Sequence, residues 1–230
     1  MIDHVHDLDA VREATARLLA ATAELDDVTV AEPSRLPGWS RGHVLAHLSR
    51  NAEALVNVLR GRPMYASSET RDSDIARDAP RPLADQLADL RATAALFEDA
   101  AAVPADWSRT VTLRNGVTDS ASRVPFRRRV EVELHHVDLG VGYGLEDLPD
   151  EFTAREIDFL TERFAGHPDV VSTEVTTDDG RRWTTGGGAE GSPVVVRGTA
   201  PDLLGWLCGR RDGSALDVAD GSPLPALPPL

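Results

Sequence analysis

The stretch SRGHVLAHLSRNAEALVNVLRG, residues 40–61, decides the fold of the first part of the chain. Its apolar residues recur three and four positions apart, the spacing that places side chains on one face of an α-helix. Ser40 is a good N-cap residue, and Gly61 followed by Pro63 marks a helix end. The stretch therefore predicts an amphipathic helix whose apolar face packs against other elements.

Three further segments carry the same helical periodicity. They cover residues 5–25, residues 83–97, and a segment that starts near residue 122 with Pro125 in its first turn and ends at the glycines 140, 142 and 144. Four amphipathic helices are typical of a helical bundle. The remaining residues of this part, 62–80 and 103–121, are predicted to form long connections.

The pattern changes after residue 148. A short helix is predicted over 151–165, and residues 172–185 alternate around Asp179-Gly180 as in a β-hairpin. A flexible loop (186–192), a buried strand (193–198), a helix capped by Thr199 (200–210) and a proline-rich tail complete the chain. The expected fold class is α plus α+β, with a helical bundle at 1–148 and a small α+β domain at 149–230.

Composition excludes several classes of function. The formal net charge of −14 argues against nucleic acid as a partner, because a basic excess is needed to neutralise phosphates. No apolar run is long enough to span a membrane, and the N-terminus lacks a signal-peptide pattern, so no membrane partner and a cytoplasmic location are expected. All 24 basic residues are arginine, which rules out a Schiff-base lysine. With Cys208 as the single cysteine, neither an intrachain disulfide nor a cysteine-based zinc cluster can form.

Titratable side chains interrupt an apolar segment in EVELHHVDLG, residues 131–140. Glu131 and His135 are four residues apart and thus neighbours on one helical face, as are His43 and His47. Bundles commonly hold metals between facing helices, and two histidines with one carboxylate suit catalytic zinc or another divalent ion.

Pairs with this spacing also occur on solvated helical faces that bind no metal. A solvated face therefore remains an alternative to the metal site. His47 lies on the helical face of Val44 and Leu48, whereas His43 belongs to the first turn, so His47 is the preferred ligand. His136 could replace His135, but only His135 shares the face of Glu131. Asp138 is placed to accept a hydrogen bond from an imidazole.

Residues 36–75, which begin LPGWSRGHVLAHL, together with EVELHHVDLGVGY (131–143), resemble the mycothiol-dependent maleylpyruvate isomerase family, within the larger group of DinB-like metal-binding bundles. DLLGWLCGR (202–210) resembles the second, sterol-carrier-like domain of that family. The resemblance implies that His47, Glu131 and His135 are metal ligands and that Arg210 is a functional arginine.

The resemblance also implies an activity, the cis–trans isomerisation of maleylpyruvate to fumarylpyruvate in gentisate-type aromatic degradation. Its cofactors would be mycothiol and a divalent metal, with zinc expected. Reversible addition of the metal-bound thiolate turns the double bond into a single bond that can rotate. A chain with one cysteine agrees with a thiol supplied from outside, and Arg210 would bind a carboxylate of the small acidic substrate or the developing enolate.

Two other hypotheses remain at this point. The same metal and thiol could serve a mycothiol S-transferase that acts on another electrophile in detoxification or biosynthesis. Alternatively, the protein is a non-catalytic binding protein in which the histidines and the glutamate are hydrogen-bonded structural groups. Arg210 would then be an exposed arginine at a helix end. Tyr65, Arg71 and Asp72, after the helix at 40–61, are further candidates for lining the cleft.

Overall fold

A computed structural model describes residues 3–103, 106–187 and 192–229. The chain divides into two compact units, Met1–Tyr143 and Gly144–Leu230. The expected order of a helical part followed by a smaller part with a sheet is confirmed, whereas the expected boundary near residue 148 stays a prediction. Across the described residues, no helix is long and apolar enough to cross a membrane.

The first unit is built on four long helices, as the periodicity predicts. They are α1 (His4–Ala23), α3 (Arg41–Leu59), α5 (Leu83–Ala102) and α6 (Val124–Leu139), with the short α2 (Asp27–Ala31) after α1. α3 packs against α5 and α6, and α1 packs against α6. Ser40 caps α3 by accepting a hydrogen bond from the His43 amide, and α6 ends at Gly140 in the left-handed conformation.

The two segments expected to connect the long helices do so, and both contain regular structure that the apolar periodicity did not indicate. Residues 62–80 contain α4 (Ser68–Asp78), and residues 103–121 contain a hairpin of β1 (Thr110–Thr112) and β2 (Thr118–Ser120). The sequence of α4, SETRDSDIARD, buries Ile75 as its one large apolar residue and so lacks an apolar stripe. The strands of the hairpin are too short to show alternation.

α3 and the end of α4 approach each other at Gly42. A Cβ atom at this position would lie 2.2 Å from the carbonyl oxygen of Ala79. The same carbonyl oxygen accepts a 2.9 Å hydrogen bond from the side chain of Gln86 on α5. The absence of a side chain at Gly42 therefore allows three helices to meet.

Gly42→Ala is expected to lower the free energy of unfolding by about 1–3 kcal/mol, because the added methyl group would push Ala79 away from Gln86. Chemical denaturation followed by circular dichroism measures the loss. Asn57→Ala on the same helix is the control, since it adds no atoms to the packing. Equal stability of Gly42→Ala and the wild type would contradict the close approach.

Glu133 on α6 is the centre of a buried ionic network in the first unit. Its side chain is only 1% exposed, and it accepts hydrogen bonds from Arg17 of α1 at 2.7 Å and from the hydroxyl of Tyr143 at 2.9 Å. Arg129 lies 3.9 Å from the same carboxylate. A charge buried this deeply requires such partners, so the network ties α1 and the end of α6 together.

The preceding arginine, Arg128, is also buried. Its Nη1 donates to the backbone oxygen of Leu48 at 2.9 Å and to Oδ1 of Asn51 at 2.8 Å, both on α3. Burial lowers the pKa of Arg128 to about 10, so the side chain stays charged at neutral pH. The third arginine of this run, Arg127, pairs with Asp119.

The described residues of the second unit form a four-stranded sheet and two α-helices. Its elements are α7 (Asp150–Phe164), β3 (Thr173–Thr177), β4 (Arg182–Thr185), β5 (Val194–Gly198), α8 (Ala200–Leu207) and β6 (Asp217–Val218). The strand order is β4-β3-β5-β6, with β3 parallel to β5 and the other pairs antiparallel. The predicted helix, hairpin, strand and capped helix are confirmed, and part of the predicted loop, residues 188–191, lies outside the described residues.

α8 is shorter than predicted. It ends at Leu207, and Gly209 adopts a positive φ of 72° that turns the chain away from the helix. The backbone amides of Arg210 and Arg211 both donate to the carbonyl oxygen of Gly205. Arg210 therefore belongs to the turn after the helix rather than to the helix itself.

Candidate metal centre

Three of the residues predicted from the sequence meet in the first unit. His47 comes from α3, and Glu131 and His135 come from adjacent turns of α6. Nε2 of His47 lies 2.9 Å from Oε2 of Glu131, and Nε2 of His135 lies 3.3 Å from the same oxygen. One potential ligand atom from each residue falls within 4.8 Å of the others. The two nitrogens and one carboxylate oxygen are thus arranged around a common point.

The cluster is enclosed on one side and accessible on the other. The side chains of His47 and His135 are 7% and 12% exposed, whereas that of Glu131 is 32% exposed. Trp39, which precedes α3, places its ring 5.6 Å from the ring of His47. A small molecule could therefore reach the cluster from the side of Glu131, while the imidazoles are held by packing.

Asp138 orients the imidazole of His135. Its Oδ2 lies 2.8 Å from Nδ1 of His135, and its side chain is 1% exposed. Because a carboxylate accepts hydrogen bonds, this contact favours the tautomer in which Nδ1 carries the proton and Nε2 offers a lone pair to the cluster. The geometry matches the hydrogen bond expected from the sequence.

Two of the three groups of the cluster have charge states that suit a cation. At His135 burial is outweighed, because hydrogen bonds with Asp138 and Glu131 raise the pKa, so a metal would have to displace a proton from this imidazole. Burial lowers the pKa of His47 to about 4, so this imidazole is neutral near neutral pH. Burial would raise the pKa of Glu131, but hydrogen bonds with His135 and His47 outweigh it and hold that pKa well below its usual range. An ionised carboxylate and a neutral imidazole are the forms that coordinate metals. The donor set of two histidines and one glutamate therefore fits zinc or another divalent ion.

Two residues that the sequence marked only as cleft candidates lie beside the cluster. Nη2 of Arg71 is 3.3 Å from Nδ1 of His47, and the Arg71 guanidinium carbon is 5.9 Å from the centre of the Tyr65 ring. The remaining candidate of that set, Asp72, is largely exposed and pairs with Arg71 at 2.7 Å. No sequence spacing links Arg71 to the histidine pair, because α4 brings it there through the fold.

The other polar candidates have different surroundings. His43 lies next to the helix cap, with Nδ1 2.8 Å from Oγ of Ser40. His136 is buried, and its ring stacks on Tyr143 at 4.0 Å between ring centres. In the second unit, Cys208 is buried and Arg210 donates from Nη1 to the carbonyl oxygen of Cys208. The catalytic role of Arg210 stays a prediction taken from the family resemblance.

Asp138→Asn is expected to weaken metal binding by about 10–100-fold, because an amide holds the His135 imidazole less firmly than a carboxylate. Competition between the protein and a metal chelator measures the dissociation constant. Asp158→Asn, on α7 of the second unit, is the matched control and should bind metal as the wild type does. Unchanged affinity in Asp138→Asn would show that Asp138 does not support the ligand.

The fold and the cluster together define a class of protein. Its members have two parts, and the helical bundle carries a His–Glu–His cluster of the kind that holds divalent metals. The sequence profile of the mycothiol maleylpyruvate isomerase (MDMPI) N-terminal domain matches residues 11–140. The sequence profile of the MDMPI C-terminal domain matches residues 147–229. The chain therefore belongs to the mycothiol maleylpyruvate isomerase family.

Solved structures give the same fold. Two crystal structures of the mycothiol-dependent maleylpyruvate isomerase, one of them of a histidine-to-alanine mutant, are similar to this chain with TM-scores of 0.88 and 0.87. Each is 24% identical, and the similarity covers 97% of this chain and 96% of the other. At this identity the likeness establishes the fold alone. A comparison with curated proteins gave no significant match.

Proposed function

We propose that this protein is a metal- and mycothiol-dependent isomerase that converts maleylpyruvate to fumarylpyruvate. The observation that carries the proposal is the His47–Glu131–His135 cluster, in a chain that matches both domains of this family. The reaction would belong to gentisate-type degradation, and we place the enzyme in the cytoplasm, as the sequence analysis expects.

Nε2 of His47, the carboxylate of Glu131 and Nε2 of His135 would hold the metal, with zinc as the expected ion. When bound, such an ion supplies positive charge that lowers the pKa of a thiol. Glu131 keeps the net charge of the donor set low, and Asp138 keeps the His135 proton on Nδ1, away from the ligand position. The partial exposure of Glu131 leaves a side for the thiol and the substrate to approach.

The chain would take its sulfur nucleophile from outside. Its single cysteine, Cys208, is buried in the second unit, where Sγ lies 3.7 Å from the carbonyl oxygen of Gly205. Rotation about a carbon–carbon double bond requires that the bond be single for a time. A thiol that adds and then leaves meets this requirement without being consumed. Mycothiol is the thiol that the family description names.

The purified protein, loaded with metal and analysed for its content, is expected to convert maleylpyruvate to fumarylpyruvate only when mycothiol is present. Product analysis would find the trans isomer and an undiminished amount of free thiol. Unchanged maleylpyruvate would refute the isomerase. A conjugate that accumulates in place of the trans isomer would identify an S-transferase, and a protein that binds no metal would favour a non-catalytic role.

Arg210 is proposed to bind a carboxylate of the substrate through its planar guanidinium group. Arg210→Gln is therefore expected to raise the KM for maleylpyruvate by about tenfold, the effect of losing one hydrogen bond between charged groups. Steady-state kinetics measures the change. Arg197→Gln, at an exposed position of β5, removes the same charge and should leave KM unchanged. Equal KM values in both variants would contradict the role of Arg210.

A further inference from the structure

A cavity of about 550 Å³ lies in the first unit, beside the end of α3. Its walls come from residues 61–65, 67 and 68, which follow α3, and from residues 109–115 around the β1–β2 hairpin. This volume is within the range of pockets that bind small organic molecules. One wall residue, Tyr65, has the centre of its ring 5.9 Å from the guanidinium carbon of Arg71, which in turn contacts His47.

The cavity is positively charged although the protein is strongly acidic. Three arginines, Arg62, Arg109 and Arg114, line it, and among the described residues none that lines it is acidic. The chain has 38 acidic residues against 24 arginines, so a wall without carboxylates departs from the rest of the surface. A concave wall that carries one sign of charge attracts ligands of the opposite sign.

Arg62 and Arg114 are free to bind a ligand. Both are exposed, and in the part of the chain that the structure describes no carboxylate forms an ion pair with either of them. Arg109, in contrast, donates hydrogen bonds from Nη2 to the backbone oxygens of Val58 and Leu59 at the end of α3. It adds positive charge to the cavity, but its guanidinium group is already hydrogen-bonded. Guanidinium groups without carboxylate partners are suited to bidentate binding of a carboxylate, through two parallel N–H···O hydrogen bonds.

A tight turn fixes the position of Arg114. Asn115 and Gly116 both adopt positive φ, 58° and 73°, and Arg114 accepts a hydrogen bond from the amide of Val117. An Asn-Gly pair with positive φ at both residues is well suited to a tight turn between antiparallel strands. The side chain of Arg114 is therefore presented from a defined backbone rather than from a loose loop.

Tyr65 and Arg71 connect the cavity with the cluster. Tyr65 belongs to the wall of the cavity. Arg71 contacts both Tyr65 and the cluster: its guanidinium carbon is 5.9 Å from the centre of the Tyr65 ring, and its Nη2 is 3.3 Å from Nδ1 of His47.

We propose that this cavity is a subsite for a small organic dicarboxylate, in which Arg62 and Arg114 together bind one of its two carboxylate groups. The inference rests on the proposed function, because it assigns the acidic substrate to the same site. Arg62 and Arg114 would then determine which acidic substrates are accepted.

Isothermal titration of the full-length protein with maleate, a stable dicarboxylate with a cis double bond, tests the subsite. Wild-type protein is expected to bind maleate saturably, and Arg114→Gln to raise the Kd by about tenfold or more. Arg62→Gln combined with Arg114→Gln should abolish detectable binding. The control Arg60→Gln removes an exposed neighbouring charge outside the cavity and should change the Kd by less than about twofold. Circular dichroism of each variant verifies its fold.

Absence of maleate binding to the wild type, or wild-type affinity in the double variant, would overturn the subsite. The outcome is separable from that of the proposed function. If the double variant loses maleate binding while the wild type fails to isomerise maleylpyruvate, the subsite holds and the reaction is wrong. If the wild type isomerises maleylpyruvate and the double variant keeps its KM, the reaction holds and the subsite is wrong.

Discussion

His47→Ala is expected to remove the bound metal and to lower mycothiol-dependent turnover of maleylpyruvate by about three orders of magnitude. His47 is the one member of the cluster that α3 supplies, and without it two potential ligands remain on α6. Loss of a metal that stabilises developing charge costs several kcal/mol, and about 4 kcal/mol corresponds to a thousandfold change in rate. Elemental analysis of the purified variant and a thiol-dependent assay measure the two effects.

His43→Ala is the matched control, because His43 lies one turn earlier on the same helix. Its imidazole contacts Ser40 at the helix cap, so the variant should lose about 0.5–2 kcal/mol of stability and keep its metal. Metal retained by His47→Ala would refute the ligand assignment. Equal metal loss in both variants would mean that the fold of α3, rather than one side chain, determines metal binding.

Glu133→Gln is expected to have the largest effect on stability, a loss of about 3–5 kcal/mol in the free energy of unfolding. The carboxylate is 1% exposed and accepts hydrogen bonds from Arg17 and Tyr143. A neutral amide would carry no negative charge opposite Arg17 and Arg129, and it would have to be buried in a site arranged for a carboxylate. For a chain of this length, the loss corresponds to a decrease of about 6–20 °C in the thermal unfolding midpoint.

Glu13→Gln on α1 removes the same charge from an exposed position and should shift the midpoint by no more than about 1–2 °C. Thermal unfolding of both variants, followed by circular dichroism, makes the comparison. Equal midpoints for the two variants would show that the network around Glu133 contributes little to stability. In that case the contacts of α1 with α6 would depend on apolar packing.

The helices and the cluster could be predicted from the sequence because both depend on local spacing. Four apolar stripes with helical periodicity predict four helices, and a spacing of four residues places Glu131 and His135 on one face. The expectation that His47, rather than His43, points inwards agrees with its burial. Likewise, the hydrogen bond between Asp138 and His135 follows from their separation of one helical turn.

The surroundings of the cluster could not be predicted, because they depend on contacts between distant parts of the chain. α4 has almost no apolar face, so periodicity gives no sign of the helix that brings Arg71 to His47. The strands of the β1–β2 hairpin have three residues each, too few for alternation to be recognised. The hairpin does have one local signal in the sequence, because the pair Asn115-Gly116 is a strong indicator of a hairpin turn.

The pairing of α1 with α6 has a consequence for how the protein is made. Arg17 and Glu133 are 116 residues apart in the chain, so the ribosome must add all of them before this contact can form. At about 5–20 residues per second, the delay is roughly 6–23 s. Throughout this interval the apolar face of the newly made α1 lacks its final partner. The apolar residues of α1 that pack against α6 are therefore exposed to solvent and to other proteins for part of the translation time.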